Sequence, residues 1–156
     1  MFRMMRRGEK AVDVAEAEEL LRSQDYGIVS VLGDNGYPYG VPVNYVYDGG
    51  KIYFHSTSAE SHKLDAIRKH EKVSFTIVAD SQVVPEKLET RYTSVIVFGR
   101  ARVLASREES REAMRLLLTR LAPDKAKDTE KLYKAQQEKV VMVEISTEHI
   151  SGKIGR

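Results

Sequence analysis

The sequence predicts a mainly β domain, with six antiparallel strands forming a barrel and short helices inserted between them. Apolar runs rich in Val, Ile and Tyr recur along the chain, separated by Asn-Gly and Gly-Gly turns that are typical of β-hairpins. The segments with helical periodicity are short, and most begin with a capping signal. A barrel is favoured because closure removes the exposed edges of an antiparallel sheet.

A short amphipathic helix comes first along the chain. Asp13 and Glu16 have the spacing of a capping box, which satisfies free backbone N–H groups of the first turn. The apolar face of this helix consists of Val14, Ala17 and Leu21.

Three strands joined by tight turns follow, at residues 28–32, 38–47 and 51–56. The turn at 33–36 contains Asn-Gly and the turn at 48–50 is Asp-Gly-Gly, and both sequences tolerate positive φ angles. The sequence therefore predicts an antiparallel meander early in the chain.

A second short helix is predicted after this meander. Thr57 and Glu60 form another capping-box pair, Leu64 and Ile67 supply the apolar face, and the helix ends near His70.

Two β-rich runs, at 73–84 and 92–104, are expected to pair as a long hairpin with a wide loop at 85–91. Ser106 and Glu109 then cap a third helix. Its apolar stripe consists of Met114, Leu117, Leu118 and Leu121.

The charged stretch 124–137 predicts a short polar helix, and a last strand at 140–145 precedes a tail at 146–156. We expect residues 1–10 to be a flexible tail and residues 11–156 to form a single domain. A chain of 156 residues with 42% hydrophobic content is long enough to bury a core.

Composition excludes several classes of function. The 25 basic and 23 acidic residues nearly cancel, so charge gives no argument for a nucleic-acid partner. The absence of cysteine excludes disulfides, thiolate metal sites and a cysteine nucleophile, and redox chemistry would need a cofactor. The histidine spacing does not predict a metal site. We expect a cytoplasmic protein without a membrane partner.

The segment 54–63 is the most informative for chemistry, because a strand there runs into a helix start rich in hydroxyl groups and followed by Lys63. Backbone N–H groups at a helix N-terminus, together with a lysine, suit a phosphate. Alternatively, Thr57 and Ser58 only cap the helix, and Lys63 is solvated. His55 lies at the strand end, where it either faces a ligand or bonds to backbone.

The segment 41–45 is unusual for a strand, because Pro42 lacks a ladder donor and Asn44 is disfavoured in sheets. Two interpretations remain open. Backbone groups and Asn44 contact the polar edge of a flat ligand, or the segment is an edge strand with a bulge.

These segments resemble the pyridoxamine-phosphate-oxidase-like proteins, and in particular their nitroimidazole-resistance branch. The similar runs occur in family order, at 41–50, 52–56, 61–63, 93–101 and 150–153. The resemblance implies a split β-barrel of the FMN-binding type and a homodimer that holds FMN, less plausibly FAD, at the subunit interface.

The resemblance also implies which residues contact the cofactor. Val41, Pro42, Val43 and Asn44 would follow the flavin ring and ribityl chain, with His55 and Ser56 at the next strand. Lys63 and His62 match the basic pair that grips the phosphate. The remaining implied contacts are Ser94, offered by the neighbouring chain, Val95 and Lys153.

The implied activity is FMN-dependent reduction of small electron-poor compounds, such as nitroaromatics and nitroimidazoles, with electrons from NAD(P)H. His55 would be the catalytic residue on the substrate side. Typical pyridoxamine phosphate oxidation is not expected, because Val41 and Pro42 stand where the oxidases have arginine, and their substrate-binding C-terminal segment has no counterpart. The alternatives are a non-catalytic flavin carrier or sensor, and a relative that binds haem or a deazaflavin on the same fold.

Overall fold

The computed structural model describes residues 1–58 and 60–155, and within them it has eight antiparallel strands and five peripheral α-helices. The strands are β1 Ala11–Val12, β2 Tyr26–Leu32, β3 Pro38–Asn44, β4 Val46–Asp48, β5 Lys51–Thr57, β6 Lys72–Val84, β7 Glu89–Val103 and β8 Val140–Gly155. The helices are α1 Val14–Ser23, α2 His62–Lys69, α3 Arg107–Leu121, α4 Pro123–Ala126 and α5 Thr129–Gln136. Ala59 and Arg156, which belong to the predicted segment 54–63 and the predicted tail, lie outside the described residues.

The sheet follows the order β3-β2-β6-β7-β8-β5-β4, with β1 paired to β8. β3 and β4 are the two ends of this path, yet only Tyr45 separates them in the chain. The ends of the sheet therefore lie beside each other. Among the described residues no ladder joins β3 to β4 or β5, so the barrel is split at this point, and the predicted split-barrel fold is confirmed.

The core lies inside the barrel, because alternate residues of each strand point inward. Burial of a large apolar side chain stabilises a fold by about 1.5–3 kcal/mol. The fully buried strand residues include Val29, Ile52, Phe54, Phe75, Ile77, Val95, Val97 and Ile145. α1 adds Ala17 and Leu21 to this core, and α3 packs Ala113 and Leu117 into a second, smaller cluster with Met142.

Two helices begin at the predicted caps. The side chain of Asp13 accepts a hydrogen bond from the backbone N–H of Glu16, and Ser106 accepts one from the N–H of Glu109. These caps could be identified from sequence because both partners lie within one turn.

The predicted start of α2 was wrong. Its cap is Ser61, whose hydroxyl accepts a hydrogen bond from the N–H of Leu64. Thr57 instead continues β5 and pairs with Val140 of β8. Ser58 donates its hydroxyl to the carbonyl of Glu138. Pairing with β8 keeps Thr57 out of the helix, and bonds to Glu138 and Lys139, just before β8, do the same for Ser58.

The strand count and several boundaries also differ from the prediction. The strand predicted at 38–47 breaks at Tyr45, where the chain leaves β2 and pairs with β5. The prediction of a wide loop at 85–91 was wrong, because β6 and β7 pair as far as Val84 and Glu89. Most of the predicted tail at 146–156 is strand, since β8 remains paired with β7 as far as Gly155.

The predicted polar helix at 124–137 is two helices, α4 and α5. None of the described helices is long and apolar enough to cross a membrane.

Candidate functional site

The first group of predicted site residues lies where β3 contacts β5 and where the start of α2 contacts both strands, through Lys63 and Phe54 and through His62 and Tyr39. Alternation along β5 buries Phe54 and Ser56 and leaves His55 exposed on the opposite face. Lys63, in the first turn of α2, extends back over β5, and its ammonium lies 5.6 Å from the centre of the Phe54 ring.

Lys63 is a half-buried cation. Within the described part of the chain it forms no ion pair, whereas Arg68 of the same helix pairs with Asp65. Burial lowers the pKa of the Lys63 ammonium, because a charge loses solvation when it leaves water. A bound anion would restore the lost stabilisation, so this position suits a phosphate.

His55 belongs to the same electrostatic environment. Although the side chain lies on the exposed face of β5, neighbouring protein atoms exclude part of the water around the imidazole, and this partial desolvation is the first cause that lowers its pKa. The positive charge of Lys63 is the second. The neutral imidazole is therefore favoured, with one nitrogen able to donate a hydrogen bond and the other able to accept one.

His62 is held against the turn between β2 and β3. Its ring stacks on Tyr39 with centres 4.4 Å apart, and its Nε2 accepts a hydrogen bond from the backbone N–H of Asp34 at 3.0 Å. These contacts fasten α2 to the β2–β3 hairpin. They leave Nδ1 of His62 as the nitrogen available to donate, and its predicted phosphate contact stays a prediction.

β3 is an edge strand in regular register with β2, where Pro42 lies opposite Ile28. The edge-strand interpretation is thus correct and the bulge is not present along the β2–β3 pairing. Val41 and Val43 pack against the core, whereas Pro42 and Asn44 face outward.

The amide of Asn44 donates a hydrogen bond to the carbonyl of Asp25 at 3.1 Å. Because only β2 pairs with β3 among the described strands, the other edge of β3 offers backbone N–H and C=O groups to a ligand.

The second group of predicted site residues lies on β7 and β8. Ser94 is paired with Lys153, whose ammonium lies 5.4 Å from the centre of the Tyr92 ring. Val95 is fully buried in the core, so its side chain is not available to a ligand.

The two groups lie far apart along one chain. His55 pairs with Met142 of β8, whereas Ser94 pairs with Lys153 of the same strand. These two β8 positions are eleven residues apart (153 − 142), which corresponds to roughly 36 Å of extended strand. β8 therefore places the two groups near its opposite ends.

Residues 13–154 match the family model described as pyridoxamine 5'-phosphate oxidase. The chain belongs to this family. The match spans the edge strand β3, the β5–α2 cluster and most of β8, so both groups of candidate residues lie inside it. No curated protein matches the chain.

Solved structures of the family fold agree with the architecture. One is a candidate 5-nitroimidazole antibiotic resistance protein from Bacteroides thetaiotaomicron, with a TM-score of 0.75, 20% identity, and coverage of 92% of this chain and 86% of that one. A flavocytochrome from Azotobacter vinelandii has a TM-score of 0.82 at 19% identity, covering 98% and 72%. A FAD- and haem-binding protein from Mycobacterium smegmatis has a TM-score of 0.77 at 18% identity, covering 94% and 74%. At these identities the likeness establishes the fold.

Two features of the site were missed from sequence. Ser61 caps α2 immediately before the basic pair, and Tyr39 stacks on His62. Ser61 precedes the apolar Leu64 by three residues, so it lacked the acidic partner that completes a capping box. Tyr39 carried no local signal, because its contact depends on how the hairpin folds toward α2.

Proposed function

We propose that this protein is an FMN-dependent oxidoreductase that acts as a homodimer. Its substrates are small electron-poor compounds such as nitroaromatics, and NAD(P)H supplies the electrons. The observation that carries the proposal is Lys63, a half-buried cation without an ion-pair partner among the described residues, beside the hydroxyl-capped start of α2. Membership of the family and the flavin-binding names of proteins with the same fold support it.

The donor set fits FMN, which combines a phosphate with a flat ring that has polar edges. Lys63 and the N–H groups at the start of α2 would hold the phosphate. The unpaired edge of β3 would face the polar edge of the ring. When bound, flavin supplies hydride or electron transfer.

His55 completes the chemistry that the chain itself offers. Because its pKa lies below the usual value, the imidazole is neutral near pH 7 and can donate a hydrogen bond to a substrate oxygen. The unprotonated nitrogen of the neutral imidazole can also accept a proton from a donor and return it.

A second copy of the chain would complete the site. The group on β7 and β8 lies far along β8 from the β5–α2 cluster in one chain. In a homodimer, Ser94 and Lys153 of one copy would approach the flavin held by the β3, β5 and α2 residues of the other.

The test is the affinity of the protein for FMN, measured by titrating FMN into flavin-free protein. Lys63→Ala should weaken binding roughly tenfold or more, because a charge-assisted contact to phosphate is lost. Lys69→Ala, at the exposed end of the same helix, is the matched control and should bind FMN like the parent.

An unchanged dissociation constant in Lys63→Ala would remove Lys63 from the site. The absorbance of the purified protein tests the cofactor class, since flavin gives paired bands in the near-ultraviolet and blue, whereas haem gives a Soret band. A flavin spectrum without NAD(P)H-driven turnover of any nitroaromatic would favour a carrier or sensor over an enzyme.

A further inference from the structure

A cavity of about 530 Å³ lies between the N-terminal segment, residues 1–10, and the outer face of β7 and β8. Its volume falls within the range of roughly 300–1,000 Å³ that is typical of small-molecule sites. The apolar part of its wall consists of Met4, Met5, Val12, Ile96, Phe98 and Ile150.

The N-terminal segment is attached on both sides of this cavity. After the segment, β1 pairs with the end of β8, with Ala11 opposite Lys153. Near its beginning, the ring of Phe2 stacks on His149 with centres 4.7 Å apart and on Phe98 at 5.7 Å. The segment therefore lies along the outer face of the sheet and forms one side of a cavity that stays open to solvent, with the rings of Phe98 and His149 beneath one end.

The polar groups of the cavity are cationic or neutral. Arg3 and Lys153 line it together with the His149 ring and the hydroxyl groups of Ser94 and Ser151, and among the described residues its lining includes no carboxylate. Neither Arg3 nor Lys153 forms an ion pair within the part of the chain that the structure describes. An apolar wall beside Arg3 and beside Lys153, which also contacts the Tyr92 side chain, favours a flat ligand that carries a negative charge.

We propose that this cavity binds small aromatic anions, such as aryl carboxylates, and that these are the substrate class of the enzyme. The second part of the inference rests on the proposed function. Ser94 and Lys153 belong both to the cavity and to the group expected to approach the flavin of the second copy, so a bound anion would lie next to that cofactor.

The experiment uses the chain of residues 1–156 and two probes of similar size, 4-nitrobenzoate and the uncharged 4-nitrobenzyl alcohol. Calorimetric titration should show that 4-nitrobenzoate binds roughly tenfold more tightly, because only it carries a charge for Arg3 and Lys153. Arg3→Ala should reduce this preference about threefold or more. Arg6→Ala is the control, since Arg6 belongs to the same segment but does not line the cavity.

Equal affinities for the two probes would overturn the proposal. An equal reduction of the preference for 4-nitrobenzoate in Arg3→Ala and Arg6→Ala would also overturn it, because it would indicate general attraction to a basic segment. FMN affinity measured on the same samples separates this inference from the proposed function. A protein that prefers 4-nitrobenzoate but takes up no FMN would retain the anion site and refute the flavin-dependent activity.

Discussion

At the scale of single residues, the charge of Lys63 affects the pKa of the neighbouring His55. Partial desolvation by neighbouring atoms and the charge of Lys63 both lower the pKa of His55 below its ordinary value of 6.5. Lys63→Met should therefore raise the pKa of His55 toward 6.5, because one of the two causes is removed. Titration of the imidazole protons by NMR measures this directly, with Lys69→Met as the control that leaves the pKa unchanged.

The lowered pKa of His55 also makes the stability of the fold depend on pH. Between the lowered pKa of the folded protein and 6.5, the unfolded chain binds more protons at His55 than the folded one does. The contribution of His55 therefore reduces stability as the pH falls from about 6.5 to the folded pKa, and then levels off. A pKa at or above 6.5 in the parent protein would contradict this account.

At the scale of elements, α2 tests which hydroxyl group starts a helix. Ser61→Ala removes the bond to the N–H of Leu64 and should lower the free energy of unfolding by about 1 kcal/mol. Thr57→Val removes a hydroxyl but keeps a β-branched side chain in β5, so its effect should stay within about 0.5 kcal/mol. Urea unfolding of both variants measures the difference. A larger loss in Thr57→Val than in Ser61→Ala would restore the cap predicted from sequence.

Helix starts and turns could be predicted from the sequence where they depend on residues close together in the chain. The caps at Asp13 and Ser106 and the turns at Asn35 and Gly49 depend on neighbouring residues, and the structure confirms them. The end of β5 could not be predicted in this way, because Thr57 pairs with β8, a strand near the other end of the chain.

The candidate site likewise has one part that is contiguous in sequence and one part that is not. The β5–α2 cluster is contiguous in sequence, so Lys63 could be placed in the first turn of a helix from sequence, although the hydroxyl group that caps the helix is that of Ser61 and not that of Thr57. The cavity on β7 and β8 combines the first residues of the chain with Ser94 and Lys153, and no local pattern connects them. Pairing of β1 with β8 is what places Lys153 beside the N-terminal segment.

At the scale of the whole molecule, the outer face of β2, β6 and β7 carries large apolar side chains among its polar ones. Neighbouring strands place Tyr26 and Val78 on it, 61% and 56% exposed. Ile96 and Phe98 continue the same face but line the cavity beside the N-terminal segment. Exposed apolar faces of this kind are typical of protein interfaces. Since Val78 also lies opposite Ser94, this face adjoins the group that would meet the flavin of a second copy.

We expect a second copy of the chain to cover this face. The protein should have a mass of twice 17.7 kDa in light scattering, and Val78→Glu should shift it toward the monomer, because a carboxylate would be buried without a partner. Val14→Glu is the matched control, since Val14 is 57% exposed and Val78 is 56% exposed. Val14 lies away from this face, in the first turn of α1, where a negative charge is favourable. If two copies share the flavin site, Val78→Glu should also weaken FMN binding while Val14→Glu does not. A monomeric parent protein that still binds FMN tightly would place the whole cofactor site within one chain.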